Sequence, residues 1–214
     1  MVKVKKFAYK FYRFINHLPF VNKISKKCSI TNKGSILVGC KIISHSKTNH
    51  IIFPSNGYFK NCTFELYGES EKFIFHDGIR AYNASFYAED RCSAIIVGNS
   101  TFSGKIHIAA TEGKKINIGD NCLFSSEVVI RNGDSHSILN EEHERINIAD
   151  DVNIGNHCWI GHRVIILKGV SLNNHTVIGT GSVVTKRFVE QNIIIGGVPA
   201  KILKTGITWN EKRL

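Results

Sequence analysis

Hydrophobic residues recur at every sixth position in the second half of the chain. Helices repeat near every 3.6 residues and plain strands near every second residue, so neither explains a period of six. Short flat strands joined by tight turns do explain it, because stacking then aligns identical positions as interior ladders. The aliphatic series is Ile148, Ile154, Ile160, Ile166, Leu172, Ile178 and Val184. A compact series runs two places before it: Val152, Cys158, Val164, Val170, Thr176 and Ser182.

Several of these repeats resemble the bacterial hexapeptide-repeat acyltransferases. The matching units lie within residues 154–183, and residues 197–201 (GVPAK) are the ending typical of the sugar O-acetyltransferase branch. The resemblance implies an all-β fold, a left-handed parallel β-helix built from hexapeptide repeats. It is close over residues 95–205 and looser over residues 30–95, which we expect to form irregular early coils.

The repeat is interrupted once, between Ile130 and Ile148. The gap spans eighteen residues, or three repeats, and its two interior positions are His136 and Glu142. Both side chains would be costly to bury. We therefore expect residues 131–147 to leave the β-helix as a loop, and loops on a rigid scaffold often carry chemistry.

This loop contains a candidate general base, His136. Transfer of an acyl group to an alcohol needs a base near pH 7, and histidine is the side chain suited to that work. A carboxylate on the other ring nitrogen would orient the imidazole. Asp134 is the nearest candidate, with Glu142 and Glu144 as alternatives. In the similar acetyltransferases the catalytic histidine precedes an H-x-W-I-G unit by some two dozen residues, and here His136 stands 23 residues before Trp159.

Three further residues are expected at the acceptor. Arg131 borders the loop and could grip an acidic sugar, and Ser137 follows the proposed base. Trp159 occupies a position where a small residue would serve a solvent face, so it either covers a pocket or packs between coils. The resemblance favours a place near the acceptor or the pantetheine arm.

The resemblance also assigns residues to acetyl-CoA. Small turn residues would leave a groove for the pantetheine arm, and basic residues toward the C-terminus, including Lys168 and Arg187, could neutralise its phosphates. The expected cofactor-binding residues are Gly161, His162, Gly179, Thr180, Thr185, Lys186, Lys201 and Lys204.

These residues predict an acetyl-CoA-dependent O-acetyltransferase acting on capsule, lipopolysaccharide or a precursor. The resemblance further implies a homotrimer with its pocket between subunits. Two alternatives remain open: N-acylation of a nucleotide-linked amino sugar, and a non-catalytic β-helix that serves as a binding or assembly module. An asparagine that holds the acceptor in small-sugar enzymes of this fold has no counterpart in residues 105–111, which favours a larger or differently held acceptor.

Charge is confined to one end of the chain. The net charge is +11, yet residues 1–64 hold twelve Lys and Arg with no acid, and residues 65–214 are nearly balanced. A balanced body without a nucleic-acid-binding motif argues against a nucleic-acid partner. We divide the chain into a basic segment (1–25), a β-helix domain (26–205) and a C-terminal tail (206–214).

The basic segment has the pattern of an amphipathic helix. Val4, Phe7, Phe11 and Leu18 fall on one face, and Pro19 ends the pattern. Such a helix either contacts an anionic membrane surface or caps the β-helix. No apolar run approaches the ~18 residues needed to span a bilayer, and no signal-peptide pattern is present. We expect a cytoplasmic protein, peripheral on the inner membrane face under the first alternative.

The cysteines predict neither a metal site nor disulfides. None of the six forms a C-x-x-C pair, so a zinc site is not expected. The intervals of 30 and 36 between Cys92, Cys122 and Cys158 are multiples of six, which predicts small interior residues. Reduced thiols fit the cytoplasm.

Overall fold

The computed structural model describes residues 22–212, which contain 24 strands and no α-helix. The strands wind as a parallel β-helix, in which each coil adds one strand to each of three sheets. In chain order they are β1 (Lys23–Ile24), β2 (Ser29–Asn32), β3 (Ile36–Val38), β4 (Lys41–Ser44), β5 (His50–Phe53), β6 (Tyr58–Lys60), β7 (Thr63–Leu66), β8 (Lys72–Phe75), β9 (Arg80–Tyr82), β10 (Ala84–Ala88), β11 (Ala94–Val97), β12 (Thr101–Phe102), β13 (Ile106–Ala110), β14 (Lys115–Ile118), β15 (Leu123–Phe124), β16 (Val129–Arg131), β17 (Val152–Ile154), β18 (Trp159–Ile160), β19 (Ile165–Ile166), β20 (Ser171–Leu172), β21 (Val177–Ile178), β22 (Val183–Val184), β23 (Ile193–Gly197) and β24 (Ala200–Thr205).

The three sheets form the faces of the β-helix. Sheet A runs from β1 through β4, β7, β10, β13, β16 and β19 to β22. Sheet B runs from β2 through β5, β8, β11, β14 and β17 to β20, and sheet C runs from β3 through β6, β9, β12, β15, β18, β21 and β23 to β24. Within residues 22–212, β23 and β24 are the one antiparallel pair of strands, and a cis peptide bond at Val198–Pro199 lies in the turn between them.

The coils have two widths. In residues 29–131, which we call the wide coils, successive strands pair at intervals of 21 or 22 residues, as in Ile42 with Phe64 and Phe64 with Phe86. In residues 152–195, the narrow coils, the interval is 17 or 18, as in Ile166 with Val184. The extra residues lengthen the strands of sheets A and B and the corner between those sheets.

Aromatic rings fill the interior of the wide coils. Phe86 packs with the rings of Phe64, Phe75 and Phe102 at centroid distances of 5.3, 5.0 and 6.1 Å. The narrow coils bury aliphatic residues at the sixfold positions, with a small residue two places earlier. A longer coil encloses a larger cross-section, and only bulkier side chains fill it to the density of a protein interior.

A ladder of polar side chains stabilises the corner between sheets B and C. The carboxylate of Asp120 accepts the backbone N–H of Asn99 at 2.7 Å, and the amide oxygen of Asn156 accepts that of Asp120 at 2.8 Å. Asn174 repeats the arrangement one coil later, with Asn156 N at 2.7 Å. These bonds satisfy turn N–H groups that lie between strands.

The structure corrects three expectations. Residues 30–95 are regular coils rather than irregular ones, with a period of 22 instead of 18. Ile148 is not an interior rung: it is 62% exposed, and the buried side chain beside it is Ala149. Cys92 is exposed, because it falls in a left-handed turn of a wide corner, whereas Cys122 and Cys158 stack inside the coils as predicted.

Two expectations for the ends of the chain fare differently. The amphipathic helix within residues 1–25 was expected almost wholly in residues 1–21, which lie outside the described part. At the other end, Trp209 folds back onto the narrow coils, where its indole N–H donates to the carbonyl oxygen of His157 at 2.8 Å. Within residues 22–212 no helix is long and apolar enough to cross a bilayer.

Candidate active site

The interrupting loop lies where the wide coils meet the narrow coils. It follows β16 and ends before β17, so it occupies the corner between sheets A and B as residues 132–151. The pairing of Ile130 with Ile166 across 36 residues keeps the register through it. The protruding loop predicted for residues 131–147 is therefore present, and it rests on a wide corner and beneath a narrow one.

An ion pair joins the loop to the wide corner. The guanidinium of Arg145 donates to both carboxylate oxygens of Glu112, at 2.6 and 2.8 Å. Both side chains are partly shielded from water, and the Arg145 bonds hold the pKa of Glu112 below its usual range. A two-point contact of this kind fixes direction as well as distance.

A second ion pair joins the loop to the narrow corner. The ammonium of Lys168 donates to Asp134 Oδ2 at 2.6 Å and to the carbonyl oxygen of Asn147 at 3.0 Å. Lys168, followed by an Asn147 bond, lowers the pKa of the Asp134 carboxyl. Lys168 was grouped with the cofactor lysines in the sequence, but its charge is committed to the loop.

The tip of the loop is a short hairpin. Ile146 N donates to Ile138 O at 2.9 Å, and a bridge pairs Leu139 with Arg145. Ile138, Leu139, Ile146 and Ile148 expose between 49% and 62% of their surfaces. The loop thus presents an apolar face to its surroundings.

His136 is exposed on the outgoing limb of this loop. No described side chain hydrogen-bonds its imidazole, and Asp134 contacts Lys168 and Asn147 instead. The alternatives Glu142 and Glu144 are exposed as well. The orienting role assigned to Asp134 therefore stays a prediction, and no carboxylate within residues 22–212 performs it in an isolated chain.

The acceptor residues predicted beside the base are close to it in the chain. Arg131 donates to Ser135 Oγ at 2.9 Å, and Ser135 in turn donates to Glu89 at 3.4 Å. The Nε atom of Arg131 is buried with no hydrogen-bond partner among the described residues. Ser137 is exposed next to His136.

Trp159 lies on a different face from the loop. It belongs to β18 in sheet C, is 42% exposed, and lies 5.9 Å from the ring of Trp209. Trp209 also stacks on His157 at 4.2 Å. Burial and the nearby His175 lower the pKa of His157. Sequence reasoning missed Trp209, since it follows the last repeat and carries no motif.

The predicted cofactor residues occupy three places. Successive turns between sheets C and A carry Gly161 and His162, then Gly179 and Thr180. Thr185 and Lys186 follow β22, on the same corner as the loop. Lys201 and Lys204 are exposed on β24. One chain does not bring all eight together, and their assignment stays a prediction.

The turns between sheets C and A have room for a thin ligand. A Cβ atom added at Gly179 would have no neighbour nearer than 3.6 Å, and one at Gly181 none within 4 Å. Gly161 differs, because a Cβ there would lie 2.6 Å from Ile178 O in the next coil. His162 Nδ1 donates to Ser126 O at 3.0 Å, which leaves its other ring nitrogen for a ligand.

The described residues offer no cluster of three or more His, Cys, Asp or Glu suited to a metal ion. The chemistry of the site is therefore argued from the loop histidine, the serines beside it and Arg131.

Comparison with known proteins identifies the family. The bacterial transferase hexapeptide (six repeats) profile matches residues 151–186. The polysialic acid O-acetyltransferase of Neisseria meningitidis is 36% identical over 187 residues, which are 86% of this chain and 78% of that protein. The polysialic acid O-acetyltransferase of Escherichia coli O1:K1 / APEC is 38% identical over 118 residues, 55% of this chain and 38% of that protein.

Solved structures agree with the sequence relatives. The polysialic acid O-acetyltransferase OatWY superposes with a TM-score of 0.66 at 31% identity, covering 90% of this chain and 88% of that one. The polySia specific acetyltransferase NeuO gives 0.62 at 26% identity, covering 86% and 89%. The predicted left-handed parallel β-helix is confirmed, and the chain belongs to the hexapeptide-repeat acyltransferase family and is an acyltransferase.

Proposed function

We propose that the protein transfers an acetyl group from acetyl-CoA to a hydroxyl of a cell-surface polysaccharide, in capsule or lipopolysaccharide, or of its precursor. The observation that carries this function is an exposed histidine on a doubly anchored loop, in a chain 36% identical to a polysialic acid O-acetyltransferase. Anchoring matters because a base must meet its proton at hydrogen-bond distance.

His136 acts as the general base in this mechanism. Its imidazole accepts the proton of the acceptor hydroxyl while the hydroxyl oxygen attacks the thioester carbonyl carbon. The carbonyl electron pair moves onto oxygen, where a backbone N–H from a nearby turn stabilises the charge. When the carbonyl re-forms, the C–S bond breaks and the imidazolium returns the proton to the departing thiolate. No covalent enzyme intermediate is needed, and the thiol of Cys158 is buried inside the coil.

Acetyl-CoA would lie along the turns between sheets C and A. The open space at Gly179 and Gly181 suits its pantetheine arm, and exposed Lys201 and Lys204 suit its phosphates. When bound it supplies the activated acetyl group.

The acceptor is proposed to be acidic. Arg131 forms no ion pair with a residue in the described range, and its Nε atom has no partner there. A buried guanidinium edge without a carboxylate is favourable once an anionic ligand supplies one. Sialic and uronic acids carry the required group.

A homotrimer is proposed as the active form. Trp159 and His136 lie on different sides of one chain, so a second copy is needed to bring an indole to the loop. The exposed aliphatic face of the loop, including Ile138 and Ile146, provides a surface for such a contact. Cytoplasmic location, with residues 1–25 against the inner membrane face or capping the β-helix, completes the proposal.

Thiol release from acetyl-CoA, measured with acidic and neutral glycans, tests the function. Ester products are cleaved by mild alkali, whereas amides from amino sugars are stable. We expect His136→Ala to lower kcat by about 10²–10⁴-fold. His143→Ala, which changes another exposed histidine of the same loop, should keep full turnover. Alkali-stable product, or unchanged kcat in His136→Ala, would refute the proposal.

A further inference from the structure

Asn147 lies at the centre of the loop's hydrogen bonds. It is 7% exposed, on the limb that returns to the β-helix. Its amide oxygen accepts the backbone N–H of Ile138 at 2.7 Å and Nε of Arg145 at 3.3 Å. Its amide nitrogen donates to the carbonyl oxygen of His136 at 2.8 Å and to Asp134 Oδ2 at 2.9 Å. Both donors and the acceptor of this side chain are thus used.

These bonds enclose the histidine from both sides. One fixes the carbonyl group of His136 itself, and the other fixes the N–H group of Ile138, two residues later. The same amide also contacts Asp134, which Lys168 holds against the narrow coil. The backbone that carries the imidazole is therefore fixed to the body of the β-helix through one buried side chain.

We infer that Asn147 is the positioning residue for His136, an inference that rests on the proposed role of His136 as base. The imidazole has no side-chain partner among residues 22–212, so its direction depends on the backbone beneath it. Asn147 fixes that backbone, and Asp134 and Lys168 act through Asn147 rather than on the ring. A displacement of about 1 Å in a reacting group can lower a rate by about 100-fold.

A kinetic comparison of two buried asparagines tests this role. We expect Asn147→Ala to lower kcat by about 10–100-fold and to leave KM for acetyl-CoA within about twofold. Asn49 is the matched control, because it is fully buried at the same corner of a wide coil and donates to Gly68 O at 2.9 Å, far along the chain from the loop. Asn49→Ala should lower thermal stability while kcat is unchanged.

A double-mutant cycle separates positioning from any other effect. In the His136→Ala background there is no imidazole to position, so Asn147→Ala should lower the residual rate no further. If Asn147→Ala keeps full kcat, or lowers the rate of His136→Ala by its whole factor, the positioning role is wrong. If Asn49→Ala lowers kcat equally, loss of any buried amide explains the effect and the inference falls.

The cycle also distinguishes this inference from the proposed function. Full turnover in His136→Ala would remove the base assignment, and the positioning role with it. A large loss in His136→Ala beside none in Asn147→Ala would remove only the positioning role. Should Asn147→Ala not fold, Asn147→Asp keeps the volume and the acceptor for Ile138 N, yet replaces the two N–H donors by a carboxylate beside Asp134. It should show the same kcat loss with KM for acetyl-CoA unchanged, and an unchanged kcat would overturn the inference.

Discussion

In the wide coils, strands of sheets A and B turn two side chains inward, as Phe64 and Leu66 do in β7. In the narrow coils the strands of sheet A turn one inward, as Ile166 does in β19. The loop that carries His136 leaves the chain where these two arrangements meet. Glu112 anchors it from the wide side and Lys168 from the narrow side.

This difference teaches where a β-helix can hold a projecting loop. In the last wide coil the corner between sheets A and B extends beyond the narrow corner of the next coil, because its strands are longer. The loop rests on that extended corner while its other limb contacts the shorter one. A loop held on two levels resists tilting, which a loop between equal coils would not.

The largest test of the comparison removes a ring from the wide interior. We expect Phe86→Ala to lower the free energy of unfolding by about 3–5 kcal/mol, because neighbouring rings cannot close the cavity. Ile108→Val, one coil later on the same ladder, should cost about 0.5–1.5 kcal/mol. Urea unfolding measures both. Equal losses would mean that ring packing does not hold the wide coils open.

A smaller test concerns Glu71, the one buried carboxylate within residues 22–212, which lies at a wide corner. Burial, with Asp90 and Glu89 nearby, raises the pKa of Glu71 to about 7. The folded protein therefore keeps a proton that the unfolded chain releases near pH 4.3. This contribution to stability is complete below about pH 4 and is lost as pH rises through 7.

Glu71→Gln should remove this pH dependence. We expect the variant to match the parent near pH 4 and to be more stable by about 2–3 kcal/mol at pH 8, measured by urea unfolding at each pH. Glu69→Gln, at an exposed position of the same corner, serves as the control. A difference between Glu71→Gln and the parent that is the same at both pH values would contradict the assigned cause.

The smallest test uses the ladder that crosses both widths unchanged. Asp120 accepts an N–H group in a wide coil and Asn156 accepts one at the start of the narrow coils, at nearly equal distances. Asp120→Ala and Asn156→Ala should each cost about 1 kcal/mol. A loss confined to one half would show that coil width also governs this corner.

Sequence reasoning succeeded where the period is six. Ile154, Ile160 and Ile178 are interior rungs as predicted, and the break after Ile130 is a loop. The wide coils escaped the same search, since 22 is not a multiple of six. The signal that could have found them is the interval of 22 shared by Ile42, Phe64, Phe86, Ile108 and Ile130.

The site was only partly accessible from the sequence. The place of His136 in a loop follows from an interior position that cannot be buried, which is a local argument. The partners of Asp134 do not follow, because Lys168 lies 34 residues away and meets it only after the coils stack. Asn147 was missed for the same reason: its role depends on two limbs meeting.

The wide coils have one more consequence, for the modularity of the molecule. Each coil contacts its neighbours alone, and successive wide coils pair in register at 22 residues. Deleting or duplicating one such unit would leave Glu112, the loop and Lys168 in the same relation. The height of the column below the site is therefore an evolvable dimension, which can change in whole units while the chemistry at its step stays constant.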